Sequence, residues 1–521
     1  SPVSIFHRGK GAAGAAKAHH VAPMVGLVLL GVLAAIQTYE PNINSTALLR
    51  AANALDMGST AALAAAASTL ALAATVITTG MLADKLGRRK VLGAALICTI
   101  VGDLIVLSSA NTGMFLLGRI LAGIGCGAIF GEAFAYVKLF AKGKGGLPAA
   151  LGIFMAVSGV GAVFFSFLGG VLAGVDWRVA YILVPIVSLL ALLAAFFVLP
   201  KDDKADRDKG PWDVLGQALL GLGIIGLLFG IAHASSGFTS PLTWGTAAVG
   251  VILLIAFYFW ERRAGDKAFF PISLFKWPIF IAAVLIGLTY NLAYGASLLS
   301  FTNLFQYKLK LTDTRLALSQ LPFLIAGILA ALVVGKIRGS GKMTRRGAVL
   351  WGSIVTGLGF AAFAIAGFGE AESYLMYLPG LILVGIGAIV VALPYGNMFL
   401  QSADPKHYGA VSSSRTTVGQ FWYSLGLAGS TVLIDGITRR DVQDQLGGKS
   451  AEQLNEWAVS GGKVPAPADV LDVAGGIYPH AFGTAMAVVG AICFLGGIGA
   501  YVIMRVNMRE HPDPEKEVPH G

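Results

Sequence analysis

Apolar runs of spanning length recur along almost the whole chain, separated by short polar and basic stretches. A helix rises ~1.5 Å per residue, and crossing the hydrocarbon of a bilayer takes ~20 apolar residues. Fourteen stretches reach that length, at about 22–42, 61–83, 91–108, 113–140, 147–174, 179–199, 214–233, 242–260, 279–305, 315–335, 346–368, 375–400, 408–434 and 481–504. The pattern predicts an all-α integral membrane protein. Loop lengths group its spans. The first six are closely spaced and end at Pro200, where the charged stretch KDDKADRDKGPWD (201–213) intervenes. The expected organisation is a six-helix bundle over 22–200, a linker with helices seven and eight over 201–275, and a second six-helix bundle over 276–505. Tails occupy 1–21 and 506–521. One long polar loop, 435–480, carries Pro465 and Pro467 and is expected to hold no more than a short amphipathic helix near Gln453–Trp457.

Composition agrees. Only 13% of the residues are charged and 56% are hydrophobic, whereas a soluble chain carries roughly a quarter charged residues. The 68 glycines suit helices that approach closely within a membrane. The net charge of +10 does not read as a nucleic-acid surface, because the basic residues sit in short loops on alternate sides. Lys85, Arg88, Arg89 and Lys90, then Lys201, Lys204, Arg207 and Lys209, then Arg262, Arg263, Lys267 and Lys276, then Lys336, Arg338, Lys342, Arg345 and Arg346 share one side with both tails, Lys144 and Lys406. The positive-inside bias makes that side cytoplasmic, in a bacterial inner membrane. Cys98, Cys126 and Cys493 fall inside apolar runs and read as small buried hydrophobes. The first apolar run continues into a full span, so no cleavable signal peptide is expected.

Ionisable residues inside spans cost ~2.5–3.5 kcal/mol each on insertion scales, so each asks for a reason. Asp103 and Arg119 lie at similar depth in spans three and four and are expected to pair; Arg119 has Glu40 or an anionic substrate as its other possible partners. Glu132, deeper in span four, has no cation on its own helix turn and is the favoured proton-coupling residue, with Glu40 and Asp103 beside it. The second half holds no clear mid-span acid. Its polar supply is Tyr290, Asn291 and Tyr294, with Asn397, Arg415, Gln420 and Trp422, and these are the candidate substrate-cavity residues together with Arg119. Tyr290 and Tyr294 are four apart and share a helix face. Pro394 marks a kink in span twelve.

The strongest motif is GMLADKLGRRK (80–90), between spans two and three. Gly80 permits close helix contact, Asp84 is placed to cap the following helix or to pair with a cation, and Gly87, Arg88 and Arg89 complete the loop. This motif at this place resembles the signature loop of the major facilitator superfamily. A Gly-then-basic stretch without the aspartate, Gly335–Arg346, recurs about half the chain later, as internal repeats of such transporters would have it. FLLGRILAGIGCG (115–127), DWRVAYILVP (176–185) and SSSRTTVGQFWYSLG (412–426) are similar to patterns of the fourteen-helix drug:proton antiporters within that superfamily. Two stretches depart. In GAVFFSFLGG (161–170), Phe165 and Ser166 stand where the fifth-helix motif has Gly and Pro; in QTYEPNINSTALL (37–49) the acid's slot falls on Gln37 or Tyr39, with Glu40 next to it.

The resemblance implies the major facilitator fold and a monomeric secondary transporter with no cofactor, metal or enzymatic activity. Export of a small amphipathic or cationic compound, driven by proton entry through alternating access, is the expected function. Gly80, Asp84, Gly87, Arg88 and Arg89 would form the conformational-switch loop. The alternative is a proton-independent facilitator, or a dedicated exporter of a metabolite, lipid or siderophore. No G-x(4)-G-K-[ST] phosphate loop occurs, which argues against ATP-driven pumping within this chain.

Overall fold

The computed structural model describes residues 22–57, 60–142, 145–204, 207–234, 237–311, 313–401, 403, 407–459 and 464–507. The expected tail 1–21, most of the tail 506–521, and Lys144 and Lys406 lie outside the described residues.

The first bundle contains α1 (Pro23–Tyr39), α2 (Asn44–Ala54), α3 (Ala61–Leu86), α4 (Arg88–Leu107), α5 (Thr112–Tyr136), α6 (Gly146–Val175) and α7 (Leu183–Val198). After the linker come α8 (Val214–Ala234) and α9 (Pro241–Ala264). The second bundle begins with α10 (Pro278–Gly287), a π-turn at Leu288–Leu292 and α11 (Ala293–Tyr307), which together make one span. It continues with α12 (Asp313–Gly339), α13 (Arg345–Phe368), α14 (Leu378–Ala392), α15 (Tyr395–Leu400), α16 (Tyr408–Leu446), α17 (Gly448–Val459) and α18 (Ala468–Asn507). The break between α14 and α15 falls at Pro394, whose ring removes a backbone donor, as expected.

Among the described residues, twelve helical segments are long and apolar enough to cross a membrane, against the fourteen expected. The two others have physical reasons to fall short. The 17 residues of α1 give a short apolar helix that passes into a 3-10 turn at Glu40–Ile43. In α16, Ser412, Ser413, Ser414, Arg415 and Thr416 dilute the apolar character, and all five are buried against neighbouring helices. The 435–480 stretch is also not the loop expected: α16 runs on to Leu446, α17 covers the anticipated amphipathic helix, and α18 starts at Ala468. Val442, Leu454, Val470, Ala474 and Ile477 form a small apolar cluster of their own there, so three helices share one buried seam.

The outer surface inverts the soluble pattern. Phe167, Phe196, Phe197, Ile365 and Leu495 are each more than 60% exposed, forming an apolar coat suited to lipid. The bundles meet along two seams, α3 against α16 and α6 against α12. On the first, a Cβ on Gly80 would sit 2.2 Å from the Gly409 carbonyl oxygen; on the second, a Cβ on Gly152 would sit 2.4 Å from that of Ala331. Both contacts lie toward the end that carries the basic loops, and there the backbones touch. That end is closed.

Candidate coupling cluster, switch loop and substrate face

Three buried ionisable side chains meet inside the first bundle. Arg119 on α5 places Nη1 2.5 Å from Glu40 Oε1 and 3.4 Å from Asp103 Oδ1. Its Nη2 donates to the Glu40 backbone carbonyl at 3.1 Å, and its guanidinium lies over the Tyr181 ring. All three charged side chains are fully buried. Small residues bring the helices this close: a Cβ on Gly118 would strike the Gly102 carbonyl of α4, and one on Gly123 the Ser68 carbonyl of α3. The 3-10 turn after α1 carries Glu40 into the cluster, where Ser68 Oγ donates to Glu40 Oε2 at 2.9 Å. The expected Asp103–Arg119 contact is present, but Glu40 is the nearer partner. Asp103 Oδ2 has no hydrogen-bond partner among the described residues.

Glu132 belongs to a different group. Its Oε2 lies 3.6 Å from Arg88 Nη1, so a cation does face it, supplied by α4 rather than by its own helix. Arg88 Nη2 also donates to Asp84 Oδ1 at 2.9 Å. Asp84 in turn accepts from the backbone N–H of Gly409 (2.7 Å) and of Ala410 (3.1 Å). The helix that Asp84 caps is therefore α16 of the second bundle, not the following α4. Asp202 of the linker serves α4 instead, accepting from the N–H groups of Arg89 (2.9 Å) and Lys90 (3.2 Å). A side chain at Gly87 would meet that carboxylate at 2.4 Å, and its backbone is left-handed with φ 112°. The linker also grips through Asp208, 3.2 Å from Lys85 Nζ. Burial raises the Asp208 pKa, but the Gly210 N–H, the Lys85 ammonium and the charge of His407 outweigh it and hold the carboxyl below its usual value.

In the second bundle, Tyr290 and Asn291 lie in the π-turn, a feature absent from simple heptad reading and often found at functional sites. The Tyr290 and Tyr294 rings still meet, 5.2 Å apart and edge to face. Asn291 Nδ2 donates to the Gly287 carbonyl at 3.0 Å and its side chain faces Gly419 of α16. Trp422 Nε1 donates to the Val284 carbonyl at 3.1 Å, which ties α16 to α10. Gln420 is half-buried on the same helix, and Asn397 on α15 is buried with its Nδ2 unpartnered among the described residues. Arg415 lies where the bundles face each other, under the rings of Phe130 and Phe134 of α5 and Tyr395 of α15. An apolar groove of about 630 Å³ between α13 and α18 is lined by Leu358, Ile365 and Phe494 among others and opens outward, away from all of these groups.

Sequence reasoning missed Ser68, Asp202 and Asp208. Ser68 had a signal, as a polar position in an alanine-rich span; the two aspartates looked like any solvated linker charge.

Two helix bundles joined along paired seams, with a buried charge cluster in the first and a carboxylate capping across the seam, are the architecture of a membrane transporter. The chain matches the family described as Major Facilitator Superfamily over residues 27–427, and it belongs to that superfamily. It is 28% identical over 395 residues to a multidrug resistance protein B homolog of Mycobacterium tuberculosis (strain CDC 1551 / Oshkosh), covering 73% of this chain and 70% of the relative. To the puromycin resistance protein pur8 of Streptomyces alboniger it is 27% identical over 385 residues, covering 73% and 75%. Among solved structures, the POT family transporter PepTSo superposes with a TM-score of 0.56 at 14% identity, covering 94% of this chain and 98% of that one. The human organic anion transporter MFSD10 gives 0.54 at 16% identity, covering 92% and 99%. These two likenesses concern the fold.

Proposed function

We propose that this protein exports a small amphipathic compound by proton-coupled alternating access, with its basic end in the cytoplasm. The observation that carries the reading is the Glu40–Arg119–Asp103 cluster. Two carboxylates oppose one guanidinium, so with both ionised the cluster holds one negative charge in excess, and a single exchangeable proton balances it. Asp103, at the longer distance and with one oxygen unpartnered, is the member from which that proton comes and goes; Glu40 anchors Arg119. The Asp84–Arg88–Glu132 group sits at the seam and acts on the other half of the cycle, holding the basic end shut until cargo and proton have exchanged. Names of the relatives, multidrug resistance and puromycin resistance, support an amphipathic cargo moving outward.

A facilitator or dedicated exporter without proton coupling is the second reading. It is favoured by α6, which runs unbroken through Phe165 and Ser166 where the antiporter motif would have Gly-Pro.

The test is uptake of an amphipathic fluorescent dye into inside-out proteoliposomes with an acidic lumen. Wild-type protein should concentrate the dye, and Asp103→Asn should abolish accumulation while permitting downhill exchange. Glu132→Gln should accumulate more slowly but to the same level. Equilibration of the dye without concentration, at the same rate with and without the pH gradient, would establish the second reading instead.

A further inference from the structure

Arg119 and Arg415 are both buried guanidiniums inside spans, yet they are treated differently. Arg119 has two carboxylates. Arg415, only 9% exposed, has no ion pair or side-chain hydrogen bond among the described residues, and its buried Nε lacks a partner. What surrounds it is aromatic: Phe130 at 4.8 Å, Phe134 at 5.2 Å and Tyr395 at 5.3 Å from the guanidinium carbon to each ring centroid. Rings stabilise the cation through their faces but offer no lone pair to its five N–H donors. A buried, uncompensated charge is expensive unless it is used.

Its location suggests the use. Phe130 and Phe134 belong to the first bundle, whereas Arg415 and Tyr395 belong to the second. The neighbouring seam, Gly80 against Gly409 and Gly131 against Ser413, must part when the basic end opens. That separation lifts two of the three rings from the guanidinium and presents its donor fork to the space between the bundles. Closure brings the rings back.

We infer that Arg415 is the recognition residue for a negatively charged group on the cargo, so that the transported compound is an aromatic or amphipathic organic anion carrying a carboxylate, sulfonate or phosphate. A planar guanidinium matches such groups bidentately, and the flanking Tyr395, with Tyr290 and Tyr294 beyond it, supplies faces for an apolar ring system. Loading occurs with the basic end open. On closure Phe130 and Phe134 compete for the guanidinium and expel the anion toward the opposite end, so the rings act as a shutter that resets the site. The inference rests on the exporter reading for direction, but the anion specificity stands on Arg415 alone.

Three bicyclic probes of similar size and different charge test it: naphthalene-2-sulfonate, naphthalene-2-sulfonamide and N-methylquinolinium. Binding is measured by titration calorimetry on the full-length protein in nanodiscs. The sulfonate should bind at least ~10-fold more tightly than the other two, about 1.4 kcal/mol. Arg415→Gln should lose that preference, and Arg415→Lys should keep part of it. Should Arg415→Gln fail to fold, the ranking of probes by wild type and by Arg415→Lys decides. Equal binding of sulfonate and sulfonamide by wild type, or an unaltered preference in Arg415→Gln, overturns the assignment. Gradient-driven uptake separates the two claims. Concentration of N-methylquinolinium without sulfonate binding would sink the anion site and spare the exporter. Sulfonate binding with uptake indifferent to the pH gradient would do the reverse.

Discussion

Asp84 shows how one residue can join two halves of a protein. Its two oxygens each accept a backbone N–H from the first turn of α16, and one also holds Arg88. Replacing it with asparagine keeps one acceptor but turns an NH2 group toward a backbone donor and removes the charge. A helix N-cap of this kind contributes ~1 kcal/mol, which corresponds to a ~5-fold change in the ratio of closed to open basic ends. In a cysteine-free background, Ser413→Cys lies buried at the seam, and its alkylation should run ~5-fold faster when Asp84→Asn is added. An unchanged rate would mean that Asp84 does not hold the seam. Sequence made Asp84 conspicuous but not its partner, because Gly409 is 325 residues away and only the fold brings them together. The same holds for the buried cluster. Depth along two helices was enough to pair Asp103 with Arg119 and to offer Glu40 as another partner, but the 3-10 turn that makes Glu40 the nearer of the two is not announced by composition.

At the scale of elements, the seams and the linker carry the expectations. Gly80 and Gly409 leave no room for a Cβ, since each would lie 2.2 Å from the other's carbonyl oxygen. Gly80→Val should therefore prevent closure of the basic end: the purified protein keeps its helical circular dichroism, transport falls by at least ~10-fold, and Ser413→Cys becomes freely reactive. Full transport in that variant would show that the seam can shift. The linker contributes through Asp208 and Lys85. Because the native Asp208 carboxyl lies below its ordinary value, its contribution is fully present above the unfolded value of ~3.9 and declines as pH falls through the lower native one. Asp208→Asn should accordingly lower the melting temperature at pH 7, with the difference from wild type shrinking as pH drops below about 4; a gap that persists at pH 3 would assign the effect to packing. Elements defined by long apolar periodicity were readable in sequence. The π-turn at Leu288–Leu292 was not, for it changes the hydrogen-bond register without changing the apolar pattern, and the helices of 435–480 were hidden because they bury only a small cluster of their own.

The whole molecule combines an apolar outer coat, two glycine-lined seams related by the internal repeat, and a basic fringe at one end. The second seam repeats the first. Gly335 and Gly339 of α12, within the repeated Gly-then-basic stretch, approach Gly152 and Gly145 around α6 as Gly80 approaches Gly409. The repeat lacks an aspartate, so among the described residues a carboxylate cap of this kind is seen at the first seam, where Asp84 receives the Gly409 and Ala410 N–H groups. The gate's direction depends on which end faces the cytoplasm. Lys85, Arg88, Arg89, Lys90, Lys204, Arg262, Arg263, Lys336 and Arg346 lie at the closed end, and the positive-inside bias supports the proposal that this end faces the cytoplasm. Two exposed positions decide the matter in whole cells. Lys204→Cys in the linker should react only with a membrane-permeant maleimide, whereas Ser373→Cys, between α13 and α14 at the opposite end, should also react with an impermeant one. If Ser373→Cys were protected from the impermeant reagent and Lys204→Cys were labelled by it, the basic end would face outward. Asp84 would then guard the exit instead of the entrance, and a closed basic end would favour uptake over export.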